Sequence, residues 1–173
     1  LAWLEATTDV KDKEVVNDRW AKGMKHVHEA FFASEYSTSD LDVEKPWEEC
    51  RGIGFSFGLN RNEDIEDYSS PKGLVLTLTN IVARGGNLLL GIAPDANGKI
   101  PPVMQERLLQ MGKWLAVNGE AIYDTHKWRE SFQWSAGARE GLKKGKYYVS
   151  GDAILAQTVC PEKGQAVKEA FFT

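Results

Sequence analysis

The stretch Ser70-Pro-Lys-Gly-Leu-Val-Leu-Thr-Leu-Thr-Asn-Ile-Val-Ala-Arg-Gly-Gly-Asn-Leu-Leu-Leu-Gly-Ile-Ala93 decides the fold class. Ser70 before Pro71 is a helix start: a hydroxyl to cap the first free N–H groups, then a ring whose φ is already helical. Leu74, Val75, Leu78, Ile81 and Val82 recur at the spacing that places them on one side of a helix. Gly85-Gly86 stops that helix, because glycine takes the left-handed turn without a Cβ clash. Residues 87–93 then run apolar without alternation, the pattern of a strand buried on both faces. A helix feeding straight into such a strand is half of a βαβ unit and predicts a parallel sheet covered by helices.

Outward from this stretch the pattern continues. Asp95-Ala-Asn-Gly98 reads as a tight turn; it lacks the later Glu of a calcium loop. Pro101-Pro102 opens a second helix carrying Leu108, Leu109, Met111 and Leu115, which ends near Asn118-Gly119. Upstream, residues 14–17, 30–34 and 52–58 are short apolar runs that read as strands, the last with glycines where other backbone comes close. Residues 1–8 read as the end of an amphipathic helix. The connections 18–29 and 36–50 are long, polar and aromatic, and in a β/α barrel the loops after strand C-termini build the active site. Beyond residue 126 the texture changes to Trp, Tyr, Gly and Lys with short apolar pairs, the start of a β-rich domain. The expected division is 1–126 and 127–173.

Composition narrows the class. Of 173 residues, 42% are hydrophobic and 27% charged, which predicts a packed core. The net charge of −4 argues against a nucleic-acid surface, and Lys143, Lys144 and Lys146, the one dense basic run, read as a solvated turn. No apolar run approaches the roughly 20 residues of a membrane helix. Cys50 and Cys160 have no metal-ligand spacing; pairing and two free thiols both remain open. Leu1, Trp3 and Leu4 open an apolar pattern with no initiator Met, and residues 169–173 stop on what reads as a strand. Both ends read as cut from a longer polypeptide.

The strand ends hold the chemistry. They are Asn17-Asp18-Arg19-Trp20, Glu35-Tyr36 and Phe57-Gly58-Leu59-Asn60. Together they bring two carboxylates, a guanidinium and several aromatics to one rim. Glycoside hydrolysis needs that mixture: one carboxyl to protonate the leaving oxygen, another to attack the anomeric carbon, aromatics for apolar sugar faces, Arg for hydroxyls. Taken singly, Asp18-Arg19 reads as a structural ion pair at a loop start and Glu35 as a solvated strand end. His26 and His28 have no third metal ligand at recognisable spacing and read as loop histidines. Gly52, Gly54 and Gly58 do not make a dinucleotide-binding fingerprint. Trp3, Trp114 and Trp128 read as core.

Val15-Val-Asn-Asp-Arg-Trp20, Ala33-Ser-Glu-Tyr36, Pro46-Trp-Glu48, Gly52-Ile-Gly-Phe-Ser-Phe-Gly58, Asn60-Arg-Asn-Glu-Asp64, Gly85-Gly-Asn-Leu-Leu-Leu90 and Gly119-Glu-Ala-Ile-Tyr123 occur in this order. The ordered set resembles the α-L-fucosidases of glycoside hydrolase family 29, over about residues 1–130. The resemblance implies the second half of a (β/α)8-like TIM barrel, strands five to eight, leading into a C-terminal β-sandwich. It implies hydrolysis of terminal α-L-fucose from glycans with retention, through a nucleophilic Asp in a Trp-x-Asp-Gly-like motif. That motif is absent from these residues and is expected upstream. The alternative is an inactive fucose-binding relative that has lost the nucleophile.

Residue by residue, the resemblance makes Glu35 the acid/base, with Asp18 as the alternative. Arg19 matches a residue that contacts fucose hydroxyls and Phe57 the aromatic beside the C5 methyl. Tyr36 and Trp47, inside matching segments, complete the substrate-binding candidates. Gly91 and Ala93 depart from the Asn and Gly usual in the family, and Leu59 from its Tyr or Trp. No metal or cofactor is implied. The expected partners are fucosylated glycans or glycoconjugates and the remainder of the same polypeptide, the N-terminal half of the barrel, with no nucleic acid and no membrane. The expected location is secreted, periplasmic or lysosomal.

Overall fold

A computed structural model of the chain describes residues 16–24, 31–37, 46–134, 154–160 and 166–170. The expected helix at 1–8, His26, His28 and Lys143 to Lys146 lie outside these residues.

Three strands, β1 (Phe32–Glu35), β2 (Trp47–Gly52) and β3 (Gly86–Gly91), pair in parallel in the order β1-β2-β3. Asn17 adds a single parallel bridge to Phe31 beside β1. Helix α1 (Pro71–Ala83) connects β2 to β3, and α2 (Pro102–Asn118) follows β3. The start of α1 is as its sequence predicts: Ser70 Oγ accepts from Gly73 N at 3.1 Å, with Pro71 behind it. Its end is a left-handed Gly85 (φ 78°), whose N–H bonds Val82 O at 2.9 Å.

The larger core lies between the sheet and both helices. Ile53, Leu74, Ala93, Met104 and Met111 form its buried centre, with Leu88, Leu90, Leu108 and Leu115 packed around them. Met104, Leu108, Met111 and Leu115 share one face of α2 at helical spacing. Leu109, one residue off that stripe, is 67% exposed. Trp114, read as core, is half-buried. A smaller core joins Phe32, Trp47 and Ile81.

Two strand expectations are corrected. The third strand is Trp47–Gly52, and the glycine-rich run 52–58 is the loop that follows it. Within the described residues only one face of the run Leu88-Leu89-Leu90 is covered: Leu88 and Leu90 face the core while Leu89 is 50% exposed. Successive side chains of a strand point to opposite faces, so the run puts Leu88 and Leu90 on one face and Leu89 on the other.

A second sheet is antiparallel, with β4 (His126–Trp134), β5 (Ile154–Cys160) and β6 (Ala166–Ala170) in the order β4-β5-β6. It shares no strand with the parallel sheet.

Candidate active site

Because the strands run in parallel, the residues that follow Asn17, β1 and β2 emerge at one rim of the sheet. The first connection is stitched to the second by Asp18. Its N–H donates to Phe31 O at 3.0 Å, and its Oδ1 accepts from Ala33 N at 3.0 Å. Asp18 is 5% exposed, and its Oδ2 has no hydrogen-bond partner among the described residues. Asn17 Oδ1 takes the Arg19 N–H at 3.1 Å, a local turn that aims Arg19 outward. Arg19 Nη2 donates to Glu35 Oε1, joining the two strand ends by an ion pair. The Glu35 side chain is 45% exposed and that of Arg19 39%, so both reach solvent.

Register places more side chains beside Glu35 than composition suggests. Glu35 pairs with Cys50 and Ala33 with Glu48, so Glu35, Cys50 and Glu48 share a face. Burial first, then the carboxylates of Glu35 and Glu48, push the Cys50 thiol up; Arg19 opposes them, and Glu49 adds the least. Cys50 is a free thiol.

Tyr36 turns the chain at the rim in a left-handed conformation (φ 48°). Its hydroxyl accepts from Gly52 N at 2.8 Å and lies 3.3 Å from Phe55 O and 3.4 Å from Gly54 O, two acceptors for its one proton. Gly52 must be glycine here, since a Cβ would stand 2.3 Å from Ser56 O. The Tyr36 ring meets the Phe57 ring at 5.2 Å between centroids and a tilt of 60°, an ordinary aromatic pairing. Phe57 is 44% exposed and lies over Gly91 at the end of β3.

The loop carrying Phe57 is braced from beneath. Glu63 Oε1 accepts from Ser56 N at 2.8 Å, Asn60 Nδ2 donates to Ser56 Oγ at 3.2 Å, and Ser69 N donates to Ile53 O at 2.9 Å. Burial and then the Glu63 carboxylate push the Tyr68 phenol above its ordinary value.

The structure thus brings Asp18, Arg19, Glu35, Tyr36 and Phe57 to one rim. It does not bring Trp47 there. Trp47 opens β2 at the other end of the strand, has no exposed surface, packs with Phe32 and Ile81, and donates from Nε1 to Arg84 O at 3.3 Å. Its assignment to substrate binding is corrected: its indole is core. Trp20, named at its strand end in the sequence, is 68% exposed there; sequence reasoning missed the exposed aromatic Phe55 (74%) and the Cys50–Glu48 face. The last was hidden by placing the strand at 52–58. No group of three metal-ligating side chains occurs among the described residues. A cavity bordered by Pro46, Gly86, Asn87, Tyr123 and Lys127 opens where β2 and β3 begin, and none of the candidate residues lines it.

A family model described as Alpha-L-fucosidase matches residues 1–120. Among curated proteins, the plasma α-L-fucosidase of Rattus norvegicus is 46% identical over 132 residues, 75% of this chain and 28% of the rat protein. The α-L-fucosidase of Branchiostoma floridae is 44% identical over 170 residues, 95% of this chain and 36% of that protein. Among solved structures, the Thermotoga maritima α-fucosidase in complex with fucose superposes with a TM-score of 0.65 at 33% identity, over 91% of this chain and 30% of that one. The chain therefore spans about a third of the relatives it matches.

Proposed function

Because the chain belongs to the α-L-fucosidase family, we propose that it is part of a retaining glycoside hydrolase that releases terminal α-L-fucose from glycans. The observation that carries the reading is the Glu35 carboxylate, solvent-reaching at the end of β1 and joined to Arg19 across two strand ends. Glu35 donates a proton to the leaving oxygen and then removes one from water, while a carboxylate outside these 173 residues attacks C1. Arg19 has five N–H donors, enough to hold Glu35 and a sugar hydroxyl together. Phe57, backed by Tyr36, covers the C5 methyl. The relatives named above are fucosidases by name and give no support to the inactive, sugar-binding alternative.

The domain reading is part of the proposal. Residues 1–126 belong to the catalytic barrel, contributing its fifth to eighth strands, and residues 127–173 begin a β-sandwich. The change from parallel to antiparallel pairing at β4 supports it. Fucosylated glycans or glycoconjugates are the substrates, and the rest of the same polypeptide completes the site. Relatives named plasma and tissue fucosidases favour a secreted or lysosomal location; no helix among the described residues is long and apolar enough to cross a membrane. Release of fucose with retained configuration by the full-length polypeptide, followed by NMR of the first-formed sugar, tests the reading. Inversion, or no release from any α-L-fucoside, overturns it.

Phe57→Ala in the full-length polypeptide should lower kcat/KM for an aryl α-L-fucoside more than for the α-L-galactoside, shrinking their ratio several-fold. Apolar contact discriminates against an added hydroxyl by only about 100-fold, so one aromatic wall accounts for a sizeable part of it. Phe57 is 44% exposed, so the melting temperature should change little. An unchanged ratio with a large loss of stability would make Phe57 a packing residue instead.

A further inference from the structure

Behind the aromatic pair at the rim lies a charge pair that the proposed chemistry does not use. Trp47, Glu49 and Arg51 alternate along β2 and so share a face, the one on which Trp47 packs with Ile81 of α1. Glu49 has no exposed surface. Its Oε1 accepts from Arg51 Nε at 2.5 Å and also from Nη2. The Arg51 guanidinium carbon stands 5.6 Å from the centre of the Tyr36 ring. The chain of contacts therefore runs from a buried carboxylate through a guanidinium to Tyr36 and on to Phe57.

Each link constrains the next. An ionised carboxylate without solvent is strongly disfavoured unless a counter-charge stays on it, so Glu49 keeps Arg51 folded inward. A guanidinium is flat, always charged, and donates to a carboxylate while its face stacks on an aromatic ring. Tyr36 is the residue that most needs holding: its backbone is left-handed, which costs a non-glycine residue free energy, and it immediately follows Glu35.

We propose that Arg51, anchored by Glu49, is a positioning residue of the sugar pocket, fixing the Tyr36–Phe57 pair and through it the slot for the C5 substituent. This rests on the reading of Phe57 given above. Arg51 reaches the sugar only through those rings, so its effect should fall on fucoside binding and on the choice between a C5 methyl and a C5 hydroxymethyl.

The test uses the full-length polypeptide with Arg51→Lys, the pair Glu49→Gln with Arg51→Met, and each of these on Phe57→Ala. The paired variant leaves no buried charge without a partner. KM and kcat for the aryl α-L-fucoside and α-L-galactoside are measured with the melting temperature. KM for the fucoside should rise about threefold to tenfold in the paired variant, the scale of one cation–π contact, with a smaller fall in kcat. The fucoside-to-galactoside ratio should shrink, and that shrinkage should vanish on Phe57→Ala, because the two act on one wall. Arg51→Lys keeps the charge on Glu49 but not the flat stacking surface, and should fall between; should the paired variant fail to fold, it carries the test alone. An unchanged KM and ratio in an active variant overturns the inference, as does an equal shift with and without Phe57. A wild-type protein that cleaves neither glycoside overturns the hydrolase reading instead.

Discussion

Glu35→Ala in the full-length polypeptide is expected to slow hydrolysis of α-L-fucosides with poor leaving groups by about 10²- to 10⁴-fold, the usual worth of a positioned general acid and base. Activated aryl fucosides need less proton assistance and should lose less at the first step. Added azide, a nucleophile that needs no deprotonation, should restore turnover of the intermediate and yield a fucosyl azide. The melting temperature should move little, since the Glu35 side chain is 45% exposed and its ion pair with Arg19 lies at the surface. Asp18→Ala separates the two carboxylates. Asp18 is 5% exposed and accepts the Ala33 N–H at 3.0 Å, so its loss leaves a buried donor without a partner. That costs about 1–3 kcal/mol, and Asp18→Ala should show a lower melting temperature and no azide rescue. Asp18 Oδ2, without a partner among the described residues, is what keeps the exchange of roles open to test. Azide rescue of Asp18→Ala, and not of Glu35→Ala, would assign the acid/base to Asp18.

How far the sequence carries this argument differs between helices, strands and site. Both helices were legible because their signals are local. Ser70-Pro71 caps α1, Gly85 ends it, and Pro101-Pro102 opens α2, each within one turn of the residues it acts on. β2 was not legible. Its sequence, Trp-Glu-Glu-Cys-Arg-Gly, carries three charges and lacks the apolar run expected of a buried strand. Two of those charges meet along the strand, Glu49 with Arg51 on one face, while Glu48 lies on the opposite face with Cys50 and Glu35. The run 52–58 imitated a strand because Ile53, Phe55 and Phe57 alternate. In fact Ile53 is core while Phe55 and Phe57 are exposed rim residues on a loop. Its glycines answer to contacts across the turn, Gly52 to Ser56 O and the Tyr36 hydroxyl, Gly54 to Glu63. The rim residues Asp18, Arg19 and Glu35 were legible as strand-end chemistry. Which of them is buried and which reaches solvent was not, because the Ala33 N–H that occupies Asp18 belongs to the neighbouring strand.

Trp47 is where an aromatic beside a catalytic motif misleads, and it should give the largest loss of stability. Its indole fills the space above Gly86, where a Cβ would stand 2.3 Å from Trp47 Cε2. Trp47 and Gly86 are register partners on neighbouring strands. A ring of that size can lie flat over the adjacent strand only because the partner has no side chain, so the two residues fit as one unit. With Phe32 and Ile81 it closes the smaller core between the sheet and α1, and its Nε1 satisfies the carbonyl of Arg84 at the end of that helix. Trp47→Ala in the full-length polypeptide removes the ring, the hydrogen bond and the packing on Ile81 together. The loss should be about 3–5 kcal/mol, the range for truncating a buried Trp or Phe. Gly86→Ala should act by the opposite route, overfilling the same site, and cost about 1–3 kcal/mol or more, since backbone and ring must both move. Because each change removes the reason for the other, the double variant should be less destabilised than the sum of the two. Denaturant melts of the four proteins measure this coupling directly. At temperatures where Trp47→Ala stays folded, KM for an aryl α-L-fucoside should be close to wild type, because the ring is at the far end of β2 from Glu35. A raised KM at an unchanged melting temperature would restore Trp47 to the substrate site.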